Sequence, residues 1–211
     1  MAIFWNTHAR ITPAVAQAHI HSLLTLSPPI TLPSAFEPVV VPTDTTIAEP
    51  RAPLDTPDEH ALRALLLGIT HRAAGHPADA RRFLRDAHAR HARIPSAGST
   101  WIGGVALFEL AVLELREAAQ GTDGTSSPGS SSDDDGGARA NELRVRVDAL
   151  AAYGGGPARA RWIKVLREAA ALLDDAMSLS GSEVDLSSRL ESRIAMLRDE
   201  IALKREMLGG P

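Results

Sequence analysis

The residues able to do chemistry in this chain are few and poorly grouped. His88 and His91 lie three apart, and His19 and His21 lie two apart near the start. A helical i,i+3 histidine pair can offer two imidazoles to a metal. A site also needs a third ligand and groups that orient the rings. His88 instead stands among Arg81, Arg82, Arg85, Arg90 and Arg93, the company of a solvated helix face. Asp174-Asp175 and Asp133-Asp134-Asp135 supply carboxylates with neither a phosphate loop nor a partnering base, and carboxylates alone do not make a catalytic site. GxSxG, HExxH and GxxxxGK before Ser or Thr do not occur. Gly154-Gly155-Gly156 follows a helical pattern rather than a strand, so it reads as a helix stop. His71 reads as a packing residue, partly buried. No catalytic residue, cofactor or metal is expected, and the chain reads as a non-enzyme.

The arginines of residues 81–93 are the strongest local charge feature. As a functional surface, Arg81, Arg82, Arg85 and Arg90 would dock an acidic partner or an anionic membrane surface. The run Asp133–Asp135 would be an internal competitor for them. Net charge is −4, which leaves no electrostatic footprint for nucleic acid. The absence of Cys excludes disulfides and thiolate chemistry and suits a reducing compartment. No apolar run approaches the ~18 residues of a membrane span. The opening MAIFWNTHARITP lacks the charged start and long apolar core of a signal peptide. It reads as the middle of a larger repeat array.

These side chains need elements to carry them. Apolar residues are 44 % of the chain but aromatics only 4 %, and Ala and Leu dominate, which favours closely packed helices. The centre of the pattern is ALRALLLGITHRAAGHPADARRFLRDAHARHA, residues 61–92. Leu62, Leu65, Leu66 and Ile69 share one helical face, and Ala80, Phe83, Leu84 and Ala87 another. Gly75 ends the first helix in the left-handed conformation, and Pro77 opens the second. Thr56 is the expected N-cap of the first, with Pro57 in its first turn and Glu59 completing a capping box.

Two helices alone bury too little, so further helices must stack on this pair. Residues 2–10 predict a short helix and 13–26 a better one, stopped by Pro28-Pro29. Residues 27–57 hold eight prolines and read as an extended linker, with one PxxP at Pro50–Pro53. Residues 99–120 predict a helix apolar almost all round, hence buried on more than one side. Residues 121–137, GTDGTSSPGSSSDDDGG, read as a disordered insertion. Its serines beside acids resemble acidophilic kinase sites. Residues 141–153 predict a short helix on Leu143, Val147 and Leu150. Pro157 opens a long helix on Trp162, Val165, Leu166, Ala169, Leu172, Leu173 and Ala176. The last helix, about 185–207, sets Leu190, Ile194, Leu197 and Ile201 on one side and Met196, Leu203 and Met207 on another, with Glu200 four before Lys204. The organisation read here is N-terminal helices at 1–27, a Pro-rich linker at 28–56 and a helical region at 57–211 with the insertion at 120–138.

Residues 61–90 resemble a tetratricopeptide repeat, a helix–turn–helix of roughly 34 residues with small residues where the helices cross. Gly68 takes the close-contact position of the first helix, with Ala80, Leu84 and Ala87 in the second. Ala64, His71 and Ala92 stand where that pattern has Trp, Tyr and Pro. A second copy pairs Ala111 with Gly68 and sets Ala169, Leu173 and Ala176 against Ala80, Leu84 and Ala87 at the same spacing. The first two small residues lie 12 apart in one copy and 58 in the other, so the insertion separates the two helices of one repeat. The fold class expected is all-α: a short α-solenoid of such hairpins with long disordered loops. Ser192 is the nearest small residue for a third unit.

Three stretches carry a narrower resemblance: Leu65–Arg72 (LLLGITHR), Trp101–Leu113 (WIGGVALFELAVL) and Glu183–Arg193 (EVDLSSRLESR). Together they resemble the C-terminal part of the fungal inclusion-body clearance proteins, related to animal tetratricopeptide-repeat protein thirty-nine. Phe108-Glu109-Leu110-Ala111 and Arg189–Arg193 are the most specific. The resemblance spans about 62–203 without the insertion, and the family's larger N-terminal region has no counterpart here. It implies a non-enzymatic scaffold binding other proteins, in cytoplasm and nucleus. It links such a scaffold to misfolded-protein inclusions and lipid droplets, with peripheral rather than transmembrane association and a mitochondrial outer-membrane label. The alternative is a structural bundle or oligomerisation module that self-associates through its last helix.

Overall fold

The computed structural model describes residues 11–26, 30, 56–93, 101–120, 157–179 and 185–209. All regular structure among them is helical: α1 (Pro13–Leu24), α2 (Pro57–Ala73), α3 (Pro77–His91), α4 (Trp101–Gln120), α5 (Pro157–Leu179) and α6 (Asp185–Met207). The short helix at 2–10, the Pro-rich linker, residues 121–138 of the insertion and the helix at 141–153 lie outside the described residues, as do Ser99, Thr100 and the glycines at 154–156.

Local chemistry accounts for the helix ends. Thr56 caps α2 with a complete capping box. Its hydroxyl accepts from the Glu59 amide at 3.2 Å, and the Glu59 carboxylate accepts from the Thr56 amide at 2.6 Å. The same hydrogen bonds hold the Glu59 carboxyl below its ordinary value. Thr12 caps α1 through the Val15 amide. The α2–α3 turn is made at Gly75, whose φ of +83° is a left-handed conformation that an L side chain adopts only at a cost. Pro77 then opens α3, where its missing N–H would have had no helical acceptor.

Each helix packs on its neighbour in the chain, in the order α1, α2, α3, α4, α5, α6, and α4 also touches α2 and α6. Helix α4 is therefore the shared wall of the stack. Its residues 102–111 are all buried, as the apolar run predicts. The core combines Leu65 and Leu67 of α2, Phe83 and Leu84 of α3, Ile102 and Leu113 of α4, Leu166 and Leu173 of α5 and Ile194 of α6. Burying a Leu or Phe of this kind contributes about 1.5–3 kcal/mol.

Glycines set the closest approaches. A Cβ on Gly68 would stand 2.6 Å from Leu84 Cγ and 3.1 Å from the Leu84 amide nitrogen. A Cβ on Gly104 would stand 3.2 Å from the Ala176 carbonyl oxygen and 3.0 Å from Leu190 Cδ2, where α4, α5 and α6 meet. Ala80, Leu84, Ala87, Ala111, Ala169, Leu173 and Ala176 are all fully buried. Ser192 is exposed and returns its hydroxyl to the Ser188 carbonyl of its own helix, so it marks no close crossing.

Candidate functional site: an Arg–Glu–Arg network across three helices

The most unusual group in the molecule is Glu109. It sits in the middle of α4, flanked by Phe108 and Leu110, and it is fully buried. A carboxylate cannot be left there without partners, because desolvation of an unpaired charge costs far more than a helix position gains. Two guanidinium groups supply them. Arg72, in the last turn of α2, donates to one carboxylate oxygen at 2.5 Å, and Arg193 of α6 reaches the other at 3.4 Å. Arg193 also lies over the Phe108 ring, 4.3 Å from its centroid. The network joins α2, α4 and α6, three helices that are alternate members of the stack.

This arrangement favours positioning over proton transfer. Both oxygens of Glu109 face cations, and its side chain has no access to solvent, so it has no path to act as a general base on a ligand. It bridges three helices through one charge-assisted contact to each carboxylate oxygen, Arg72 on one and Arg193 on the other.

A second polar group lies at the α2–α3 turn. His71 is fully buried rather than partly so, because its imidazole stacks on Phe83 at 5.1 Å between ring centroids. The His76 ring meets it edge-on, and Nδ1 lies 4.0 Å from Asp79. Burial lowers the His71 pKa to about 4, with Asp79 opposing the shift and His76 adding to it. His71 is therefore neutral near neutral pH and serves as a flat packing group.

The arginines of α3 divide into two sets. Arg81 reaches α4, donating to Glu114 at 2.9 Å and also pairing with Glu117, and these contacts raise its pKa. Arg90 donates to Asp86 at 2.5 Å on its own helix and approaches His60 of α2 at 3.3 Å. Arg81 and Arg90 thus serve the fold, whereas Arg82 and Arg85 are exposed. Arg82 lies 3.9 Å from Asp79, at the outer limit of an ion pair. His88 and His91 share one end of α3, and burial with the nearby His91 lowers the His88 pKa. Among the described residues no group of three or more His, Asp or Glu is placed to hold a metal ion. Asp174 pairs with Arg198 of α6.

The two counter-ions of Glu109 lie 37 and 84 residues away, so local sequence pattern does not pair them with it. A usable signal was present all the same. A lone acid inside an apolar helix must be paired.

No family model, curated protein or solved structure matches the chain. No described helix is long and apolar enough to cross a membrane.

Proposed function

We propose that this protein is a non-enzymatic helical-repeat scaffold that binds other proteins. The supporting observation is the Arg72–Glu109–Arg193 network. It ties α2, α4 and α6 to one another as the first helices of successive tetratricopeptide-like hairpins would be tied. Helices α2 and α4 leave Leu62, Leu66, Trp101 and Val112 partly exposed. The outer positions of α3 and α5 carry charge instead, at Arg82, Arg85, Arg161, Lys164, Arg167 and Glu168. A rigid row of helices with part-exposed apolar residues is a surface on which a peptide or helix can lie. The resemblance to the inclusion-body clearance proteins adds the setting: handling of misfolded protein, with peripheral rather than transmembrane contact with lipid droplets or the mitochondrial surface.

The test is cross-linking of the intact protein in cells, with mass spectrometry of what is captured, beside the double variant Leu66→Asp, Val112→Asp. Both positions are half-buried and packed against the core, so the helical circular dichroism of the variant is measured beside the capture, and only a folded variant counts. The proposal expects partners captured by the natural chain and lost from the variant, together with slower clearing of misfolded-protein inclusions in cells lacking the protein. Equal capture by both forms overturns the surface. A measured turnover on any substrate overturns the non-enzymatic reading.

A further inference from the structure

Helix α6 packs on α5 and α4 and buries Leu190, Ile194 and Ile201. Its opposite side stands open. Met196, Leu203 and Met207 are 73 %, 58 % and 44 % exposed there. Large apolar side chains along one open side of a helix mark a docking face rather than a solvated one. Two lines of residues at a spacing of seven form this side. Arg189, Met196 and Leu203 make one, and Ser192, Asp199 and Glu206 make the line beside it. This is the a and d pattern of a helix that pairs with another. Ser188, Ala195 and Ala202, on the flank of the second line, are exposed and small, so a second backbone can approach closely there.

We propose that α6 pairs antiparallel with α6 of a second copy. The charges select this occupant and this direction. The two lines carry Arg189 near the start of the helix, Asp199 at its middle and Glu206 near its end. A parallel copy would set each of them against itself, and like charges in register oppose pairing. In an antiparallel copy each line faces the other, with Arg189 opposite Glu206 of the second copy at both ends. Ser192 then lies opposite Leu203, a small side chain under a large one. The same register brings Arg193, on the flank beside Met196, near Glu200 of the second copy. Arg193 and Glu200 also hold Glu109 and Lys204 within their own chain. Arg198 is turned to Asp174, and Glu191 and Arg205 stand half-buried beyond the small residues. At the centre Met196 meets Asp199 of the second copy. The two aspartates repel each other there, which keeps the dimer weak. The pairing uses α6 alone and does not depend on what the other helices bind.

The natural chain has no cysteine, so single cysteines report the register. Full chains carrying Ser192→Cys and Leu203→Cys are mixed and mildly oxidised. The mixed disulfide forms at least about tenfold faster than either variant links to itself, because each position lies about 16 Å along the helix from its own copy. Sedimentation of the natural chain shows a monomer–dimer equilibrium between micromolar and millimolar concentration. Glu206→Arg, at an exposed position, weakens the dimer about tenfold, and mixing it with Arg189→Glu restores the pairing. Asp199→Leu strengthens it. A natural chain that stays monomeric at millimolar concentration overturns the proposal. So does a dimer whose disulfides form equally fast in the mixture and in the separate variants. A dimer unmoved by Glu206→Arg overturns it as well.

Discussion

Glu109 of α4 accepts a hydrogen bond from Arg72 of α2 at 2.5 Å, in a place with no solvent to share the charge. Arg193 completes the arrangement from α6.

Replacing Glu109 by Ala removes the anion and leaves Arg72 buried without its counter-charge. A loss of about 3–5 kcal/mol is expected from breaking a buried pair in this way. Arg193 contributes less to that loss, because it is about a fifth exposed and keeps water. The double variant Arg72→Met, Glu109→Leu removes both charges and recovers most of the stability. Urea denaturation of the three proteins measures both effects, and a Glu109→Ala loss below about 1 kcal/mol would contradict this account.

Gly68 separates helix propensity from packing. On an exposed helix, Gly→Ala gains up to about 1 kcal/mol. Here the new methyl would collide with Leu84 Cγ and crowd the α3 backbone. Gly68→Ala is therefore expected to destabilise by about 1–3 kcal/mol. Adding Leu84→Ala relieves the collision, so the two changes cost less together than the sum of their separate effects. A thermal-melt double-mutant cycle detects that coupling.

His71 makes stability depend on pH in a defined direction. In the folded chain it stays neutral down to about pH 4, while its ordinary value is 6.5. Between these values the unfolded chain binds the extra proton, so stability rises with pH through the window and is complete above it. It is lost as pH falls from about 6.5 towards about 4, with a limiting slope of about 1.4 kcal/mol per pH unit. Burial moves His88 the same way, so His71→Phe flattens the profile without abolishing the dependence. Chemical denaturation at several pH values reads the slope. An unchanged slope in His71→Phe would show that His71 does not titrate on unfolding.

Arginines of α3 are expected to differ in their contribution to stability. Arg81→Ala breaks the contacts to Glu114 and Glu117 and loses about 0.5–1 kcal/mol, because the group is partly exposed. High salt shrinks that loss. Arg85→Ala changes stability by less than about 0.5 kcal/mol at any salt. Melting curves at low and high salt distinguish the two.

The parts of the fold legible in the sequence are those with local causes. Thr56, Glu59, Gly75 and Pro77 act within a few residues of themselves, so their spacing announces the α2–α3 hairpin. The apolar run in α4 likewise announces a helix buried on several sides. The Glu200–Lys204 pair lies within one turn and is present at 2.5 Å. What could not be read is what distant packing decides. Nothing near Glu109 in sequence names Arg72 or Arg193, and nothing near Arg81 names Glu114. The arginine run looked uniform because its members differ only in which neighbour each one faces. His71 looked partly exposed because the sequence does not show Phe83 lying flat against it.

The central position of α4 also bears on what happens when the backbone is cut. Helices α1 to α4 lie on one side of the connection between Gln120 and Pro157, and α5 and α6 lie on the other. Severing the chain there leaves two polypeptides, each keeping one half of the α4–α5 contact and one member of the Glu109–Arg193 pair. Such fragments are complementary, so the molecule can be made as a split protein whose reassembly reports on that shared wall.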